Sequence, residues 1–125
     1  ELQNNWPTDI EKCDFIVLAC ALTEKTQHLF NQGILEKLKP GVRVVNVSRG
    51  PLIDEMALLD GLTSGVITSA ALDVFEDEPL NQSHPILAHD RCILGSHNAS
   101  NTIDAVIRAS DEAINLLHGM LKKES

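Results

Sequence analysis

Apolar runs separated by polar segments predict a parallel β-sheet. Residues 13–20 read CDFIVLAC, a nearly continuous apolar run of the kind found in strands covered on both faces. Residues 42–48, 67–74 and 92–96 are rich in β-branched or small apolar side chains and predict three further strands. Because helix-favouring segments separate the first three strands, the pattern predicts βαβ units and an α/β fold.

Capping residues predict where the helices begin. Asn31 and Asp54 each stand directly before a helix-favouring segment, where a side-chain oxygen can accept a hydrogen bond from the first turn. Residues 74–91 contain two prolines and predict a loop. Residues 101–122 predict a longer amphipathic helix. Its predicted apolar face consists of Ile103, Val106, Ile107, Ala113, Ile114, Leu117 and Leu121.

Composition and charge exclude several classes of protein. The 125 residues are 43% apolar, which favours one globular domain with a hydrophobic core. The 10 basic and 18 acidic side chains give a net charge of −8, and no basic run occurs. Neither nucleic acid nor an anionic membrane is therefore an expected partner. No apolar run is long enough to span a bilayer.

Cysteine content and the N-terminal pattern predict a cytoplasmic protein. The three cysteines, Cys13, Cys20 and Cys92, are odd in number and lack Cys-x-x-Cys spacing, which fits a reducing compartment. Residues 1–7 are largely polar and contain no signal-peptide pattern. Since the chain begins at Glu1 without a methionine, we expect it to be part of a longer protein.

Charged residues and a histidine, which could bind a ligand or transfer a proton, follow three of the predicted strands. Arg49 comes after the second strand, Asp73 and the acids at 76–78 come at the end of the third, and His97 follows the fourth. In open parallel sheets, ligands bind beyond the carboxyl ends of the strands. The topology therefore predicts one site that combines an arginine, carboxylates and a histidine.

Each of these groups also has an explanation without a site. Arg49 alone could pair with an acid on a helix, His97 could be a hydrogen-bonded core histidine, and residues 76–78 could be a solvated loop. A zinc site is not expected, since His84, His89 and His97 lack the spacing of a helical ligand pair and no thiolate pair accompanies them. His84 and His89 are predicted to lie in a surface loop.

Three motifs in this order resemble the D-2-hydroxyacid dehydrogenases. They are LKPGVRVVNVSRGPLIDEMALLDGL at 38–62, AALDVFEDEPL at 70–80 and GSHNAS at 95–100, and the likeness runs from about Cys13 to about Ser110. The resemblance implies a partial Rossmann-type doubly wound parallel sheet, the second half of a dinucleotide-binding domain, at 1–100. It implies a C-terminal helix that returns towards a substrate domain at 101–125.

The resemblance also implies an activity and a set of site residues. The activity is interconversion of a D-2-hydroxy acid and a 2-oxo acid by hydride transfer with NAD, NADP being the alternative. Arg49 would hold the substrate carboxylate, His97 would transfer the hydroxyl proton, and Glu78 would orient His97. Asp73 would accept hydrogen bonds from the nicotinamide carboxamide. The implied cofactor-contacting residues are Ala21, Leu22, Thr26, Val47, Ser48, Arg49, Asp73, His97, Ala99 and Ser100.

Two features of the family pattern are missing from the sequence. The chain has Ala19-Cys20-Ala21 where the family usually has His-x-Pro, and it contains no Gly-x-Gly-x-x-Gly turn with a following ribose-binding acid. In the family, that turn and most of the substrate domain lie upstream of the matching part. We therefore expect no turnover by this chain alone. The resemblance also implies a homodimer in the whole protein.

Two alternatives to a dehydrogenase stay open at this point. The first is a nucleotide-sensing, corepressor-like binding protein on the same fold, because a fold alone does not prove catalysis. Retention of Arg49, Glu78 and His97 favours the enzyme, since a scaffold needs none of them. The second is a remnant without function, which has only the missing segments in its favour.

Overall fold

The predicted parallel α/β sheet is present. A computed structural model describes residues 6–123 of the chain. Its sheet consists of β1 (Phe15–Leu18), β2 (Val42–Asn46), β3 (Ile67–Leu72) and β4 (Cys92–Leu94), all parallel and in the order β1-β2-β3-β4. The helices are α1 (Gln32–Leu35), α2 (Glu55–Ser64) and α3 (Ile103–Lys123). Each strand ends two residues before the end of its predicted range, where the ladder of hydrogen bonds stops.

One face of the sheet carries the hydrophobic core. Because each strand leads to its next neighbour in the same direction, right-handed connections all run over that face. Alternate strand residues point into it and pack against buried side chains of α1 and α2, as their 3.6-residue and two-residue periods require. The central buried residues are Ile16, Leu18, Ile34, Leu35, Val44, Leu58, Leu62, Ala70 and Leu72.

The opposite face of the sheet is open within residues 6–123. Val17, Val45, Ala71 and Ile93 lie side by side in one row across the four strands. Val17 is 60% exposed and Ile93 is 75% exposed. The expectation that residues 13–20 are covered on both faces is therefore wrong for the part of the chain described, because α1 and α2 pack on the same side.

The predicted caps begin both crossover helices. The Asn31 side chain accepts a hydrogen bond from the Ile34 N–H at 3.2 Å. The Asp54 side chain accepts from the Met56 N–H at 3.0 Å and from the Ala57 N–H at 3.5 Å. Residues 74–91 form the predicted loop, except that Pro85–Ala88 make a short 3₁₀ helix.

The last helix, α3, is amphipathic and exposed along its length. All seven side chains of its predicted apolar face are exposed, and Ile103 is 79% exposed. The Thr102 hydroxyl accepts the Ala105 N–H at 3.2 Å and caps the first turn. Between residues 6 and 123, no helix combines the length and apolar character that a bilayer crossing demands.

Candidate active site

A buried amide shapes the turn that follows β2. Asn46 is 1% exposed, its Oδ1 accepts the Ser48 N–H at 3.1 Å, and its Nδ2 donates to the Arg49 carbonyl at 2.9 Å. The Asn46 backbone carbonyl accepts the Asp73 N–H at 3.0 Å. One residue therefore fixes the turn that presents Arg49 and aligns that turn with the end of β3. Sequence reasoning missed Asn46, although a polar side chain at an inward strand position was the available signal.

The side chain of Arg49 is exposed and carries an uncompensated charge. Its Nη1 donates to the Ser48 carbonyl at 2.7 Å. Across residues 6–123, no carboxylate lies within ion-pair distance of its guanidinium. The alternative of an ion pair with a helix is therefore not observed, and the planar fork is available to an anion.

Gly50 brings this turn against the loop that carries the acids. A Cβ at Gly50 would overlap the Phe75 carbonyl and the Glu76 nitrogen. The peptide between Phe75 and Glu76 thus lies directly on the backbone that follows Arg49. Only glycine allows this approach, because a side chain would collide with that backbone.

Glu78 and His97 form a hydrogen-bonded pair. Glu78 Oε2 lies 2.8 Å from His97 Nδ1, and Glu78 Oε1 accepts the Phe75 N–H at 3.0 Å. The hydrogen bond with His97, and next that from Phe75, lower the pKa of Glu78 below its ordinary value. Because Glu78 is then an ionised acceptor, His97 Nδ1 carries the hydrogen and donates it, which leaves Nε2 for a second partner.

His97 is held in an unusual backbone conformation. Its φ is 58°, in the left-handed region that non-glycine residues seldom adopt. The His97 N–H donates to the Asp73 carbonyl at 2.7 Å, which ties this strained residue to the end of β3. Backbone strain of this kind is concentrated at functional sites.

The loop after β4 wraps around the Asp73 carboxylate. Asp73 Oδ1 accepts the Asn98 N–H at 3.1 Å, and Oδ2 accepts the Ala99 N–H at 2.8 Å. The bond from Ala99, the strongest influence, lowers the pKa of Asp73 although burial opposes it. A Cβ at Gly95 would overlap Asp73 Oδ1, so glycine is required for this close approach.

Two adjoining cavities share Asp73. One has a volume of about 410 Å³ and brings Asp73, Glu78 and His97 together. The other has a volume of about 230 Å³ and brings Val47, Asp73 and Ala99 together. The lining of the first is completed by Phe75, Pro79, Leu80, Gly95 and Ser96. That of the second is completed by Ala71, Leu72, Ile93, Gly95 and Asn98.

The remaining predicted site residues lie outside the lining of both cavities. Arg49 and Ser48 belong to the neighbouring turn, where the Ser48 hydroxyl donates to the Cys20 carbonyl at 2.5 Å. Ala21 and Leu22 are exposed in the loop after β1. Thr26 Oγ1 closes that loop by donating to the Ala21 carbonyl at 2.8 Å. Ser100 is exposed just before α3.

The Asp73 carboxylate shares one cavity with apolar side chains. Each carboxylate oxygen accepts a hydrogen bond from a backbone N–H of the loop after β4. Val47, Ala71 and Ile93 supply apolar contact area in the same cavity.

Among the residues described, no group of three or more His, Cys, Asp or Glu side chains could hold a metal ion.

His84 is placed differently from its prediction as a surface loop residue. Its side chain is 19% exposed, and its Nε2 lies 3.0 Å from Glu55 Oε2. Glu76 is exposed as expected, but its Oε1 lies 2.6 Å from His28 Nε2. These partners are 29 and 48 residues away in sequence, so local composition gave no signal of either contact.

Comparison with known proteins identifies a matching family. Residues 3–99 match the family described as D-isomer specific 2-hydroxyacid dehydrogenase, NAD binding domain. A glyoxylate reductase from Thermofilum pendens (strain DSM 2475 / Hrk 5) is 42% identical over 117 residues, which cover 94% of this chain and 34% of that protein.

Solved structures of the same kind share the fold. A glyoxylate reductase from Paecilomyes thermophila aligns with a TM-score of 0.79 and 34% identity, over 93% of this chain and 35% of that one. A D-isomer specific 2-hydroxyacid dehydrogenase from Xanthobacter autotrophicus Py2, in complex with NADPH and MES, aligns with a TM-score of 0.68 and 40% identity. That alignment covers 70% of this chain and 29% of the other. The chain spans about a third of the length of the curated relative.

Proposed function

Because the chain belongs to the D-isomer specific 2-hydroxyacid dehydrogenase family, we propose that it is the C-terminal part of the dinucleotide-binding domain of such an enzyme. The whole enzyme would interconvert a D-2-hydroxy acid and a 2-oxo acid. The observation that supports this most directly is the Glu78–His97 pair at 2.8 Å, which shares a cavity with Asp73. We assign residues 1–100 to the dinucleotide-binding domain and 101–125 to the helix that returns towards the substrate domain.

Arg49 is the residue proposed to bind the substrate carboxylate. Its guanidinium is exposed and unpaired among the residues described, and a planar fork matches a carboxylate in two parallel hydrogen bonds. The buried Asn46 amide fixes the turn that carries it. Binding at this cation would hold the reacting carbon in one orientation.

His97 is the proposed proton donor and acceptor. Glu78 fixes the tautomer with hydrogen on Nδ1, so Nε2 is the nitrogen that exchanges a proton with substrate. In reduction, protonated His97 gives a proton to the carbonyl oxygen of the 2-oxo acid. In oxidation, neutral His97 removes the proton from the hydroxyl group, and the ionised Glu78 stabilises the positive charge that develops on the ring.

Asp73, Val47 and Ala99 are the proposed contacts of the nicotinamide end of the cofactor. When bound, NAD or NADP supplies or accepts the hydride. Asp73 would accept hydrogen bonds from the carboxamide, and Val47 and Ala99 would provide apolar contact. Ser48 and Arg49 are proposed to lie beside the nicotinamide ribose, and His97 and Ser100 in the loop over the nicotinamide ring. Ala21, Leu22 and Thr26 are proposed to lie towards the adenosine.

The setting of the whole enzyme is also a proposal. Three free cysteines and an acidic surface support a cytoplasmic location. Resemblance to the family supports a homodimer. The names of the relatives suggest glyoxylate as the first 2-oxo acid to test.

The substitution His97→Asn tests the proposed function in the protein expressed from its complete gene. We expect kcat for glyoxylate reduction to fall about 10²- to 10⁴-fold, because the proton donor is lost. Cofactor affinity, measured by fluorescence titration with NADH and NADPH, should be preserved. His118→Asn, at an exposed position on α3, is the matched control and should leave kcat unchanged. Unchanged turnover in His97→Asn would remove the acid–base role.

A further inference from the structure

Glu55, the first residue of α2, joins two parts of the loop at 74–91. Its Oε1 accepts the Glu76 N–H at 2.9 Å, and its Oε2 lies 3.0 Å from His84 Nε2. The side chains of Glu55 and His84 are 21% and 19% exposed, so water competes little for these bonds. A carboxylate at this position is also favoured by the N-terminal end of the helix dipole.

The hydrogen bonds of His84 define its tautomer. His84 Nδ1 accepts the Ile86 N–H at 3.3 Å, so this nitrogen carries no hydrogen. The hydrogen is therefore on Nε2 and is donated to Glu55 Oε2. Both oxygens of Glu55 accept hydrogen bonds from the loop. A donor group in place of either oxygen would remove one of these hydrogen bonds.

The two contacts of Glu55 lie on either side of Glu78 in the chain. Glu76 comes two residues before Glu78, and His84 comes six residues after it. The peptide between Phe75 and Glu76 is the segment that Glu55 holds on one side and Gly50 contacts on the other. The Phe75 N–H, in the preceding peptide, donates to Glu78 Oε1 while the other oxygen of Glu78 contacts His97.

We infer that Glu55 and His84 are positioning residues for the proton-transfer pair. They hold the loop so that the Glu78 carboxylate stays aligned with His97 Nδ1. This inference rests on the proposed function of Glu78 and His97. It differs from a purely structural role because it requires a change in the Glu78–His97 pair, and not only in stability, when either contact is removed.

Four substitutions in the protein from its complete gene separate these roles. Glu55→Gln keeps one acceptor oxygen but places an NH₂ group opposite an N–H donor, and His84→Ala removes the other side of the contact. His84→Gln is the rescue variant, because its amide nitrogen can still donate to Glu55. Asp60→Asn removes the same charge from an exposed position of α2 and is the control.

We expect kcat for glyoxylate reduction to fall about tenfold or more in Glu55→Gln and His84→Ala, since misplaced catalytic groups cost up to about a hundredfold. The KM for the cofactor should not change. His84→Gln and Asp60→Asn should keep most of the activity. The double variant Glu55→Gln/His84→Ala should be no slower than the slower single variant, because the two residues act as one unit.

A second readout needs neither cofactor nor turnover. Titration of the Glu78 carboxyl carbon by NMR, in protein without cofactor, should show that its pKa moves up towards the ordinary value in Glu55→Gln and His84→Ala. If these variants lower Tm but leave kcat and the Glu78 titration unchanged, the inference is overturned. If instead His97→Asn retains full turnover while the Glu78 titration still shifts, the proposed function fails and the alignment of the pair by Glu55 stands.

Discussion

At the scale of single residues, Arg49 shows how the surroundings determine what a side chain can do. Asn46 holds the turn before it, and Gly50 keeps the turn after it against the peptide between Phe75 and Glu76. The guanidinium itself contacts only the adjacent Ser48 carbonyl among the hydrogen bonds of residues 6–123. A backbone turn held in one conformation presents the guanidinium to solvent. Binding an anion in one orientation requires this arrangement.

Arg49→Lys tests whether that orientation matters. Lysine keeps the charge but loses the planar fork, so the KM for glyoxylate should rise about tenfold or more while the affinity for NADH changes little. Steady-state kinetics and fluorescence titration measure the two quantities. Arg91→Lys, at an exposed position before β4 and at the other end of the sheet, is the control. Equal losses in substrate and cofactor binding would show that Arg49 does not hold the carboxylate.

Residue identity predicted a good part of this site, and geometry supplied the rest. The structure brings Asp73, Glu78 and His97 to one cavity, as the strand ends predicted. Their catalytic and binding roles stay predictions. The supporting contacts of Asn46, Glu55 and His84 were not predicted, because a hydrogen bond depends on distances of a few tenths of an ångström that no sequence pattern records.

At the scale of elements, α2 connects the turn of Arg49 with the loop of Glu78. It begins directly after Asp54, whose side chain accepts hydrogen bonds from the first turn, and its first residue holds the loop at 74–91. A cap that locates the start of a helix thereby also locates Glu55. Local helix chemistry and the geometry of the site are coupled at this one turn.

Asp54→Ala tests how much this cap contributes to stability. Loss of the cap should lower the free energy of unfolding by about 1 kcal/mol, since two N–H groups of the first turn lose their acceptor. Urea denaturation monitored by circular dichroism measures the change. Asp60→Ala removes an equal charge from an exposed site on the same helix and should cost less. Equal costs for the two variants would contradict a specific role of the cap.

At the scale of the whole molecule, apolar surface is distributed unequally. One face of the sheet is buried, whereas the opposite face and the apolar side of α3 are exposed within residues 6–123. Exposed apolar area on this scale is typical of surfaces that bind a partner. The chain therefore has a complete core on one side of its sheet and an open surface on the other.

Acid should destabilise the folded molecule partly through Glu78. Hydrogen bonds from His97 and Phe75 lower its pKa in the folded state, so the unfolded state binds more protons as the pH falls. Stability from these bonds is complete above the ordinary glutamate pKa of about 4.3 and is lost as the pH falls through the folded value.

The stability gap between the protein and its Glu78→Gln variant, that is, the difference in their free energies of unfolding, measures this effect. Urea unfolding should show the full gap above the ordinary glutamate pKa of about 4.3, and a smaller gap as the pH falls through the lowered pKa of the folded state. The difference between the two proteins removes the contribution of every other carboxyl group. A gap that stays constant over this range would show that the Glu78 bonds do not favour the ionised form.

The sequence by itself determined the local elements and the family. Apolar periodicity, capping residues and prolines act within a few residues of where they stand, so the strands, α2 and α3 followed from them. Only the tertiary structure decided that one sheet face is open and that Glu55 meets His84 across 29 residues. The physical reason is that burial and hydrogen-bond partners depend on the path of the whole chain, which brings together residues that share no local signal.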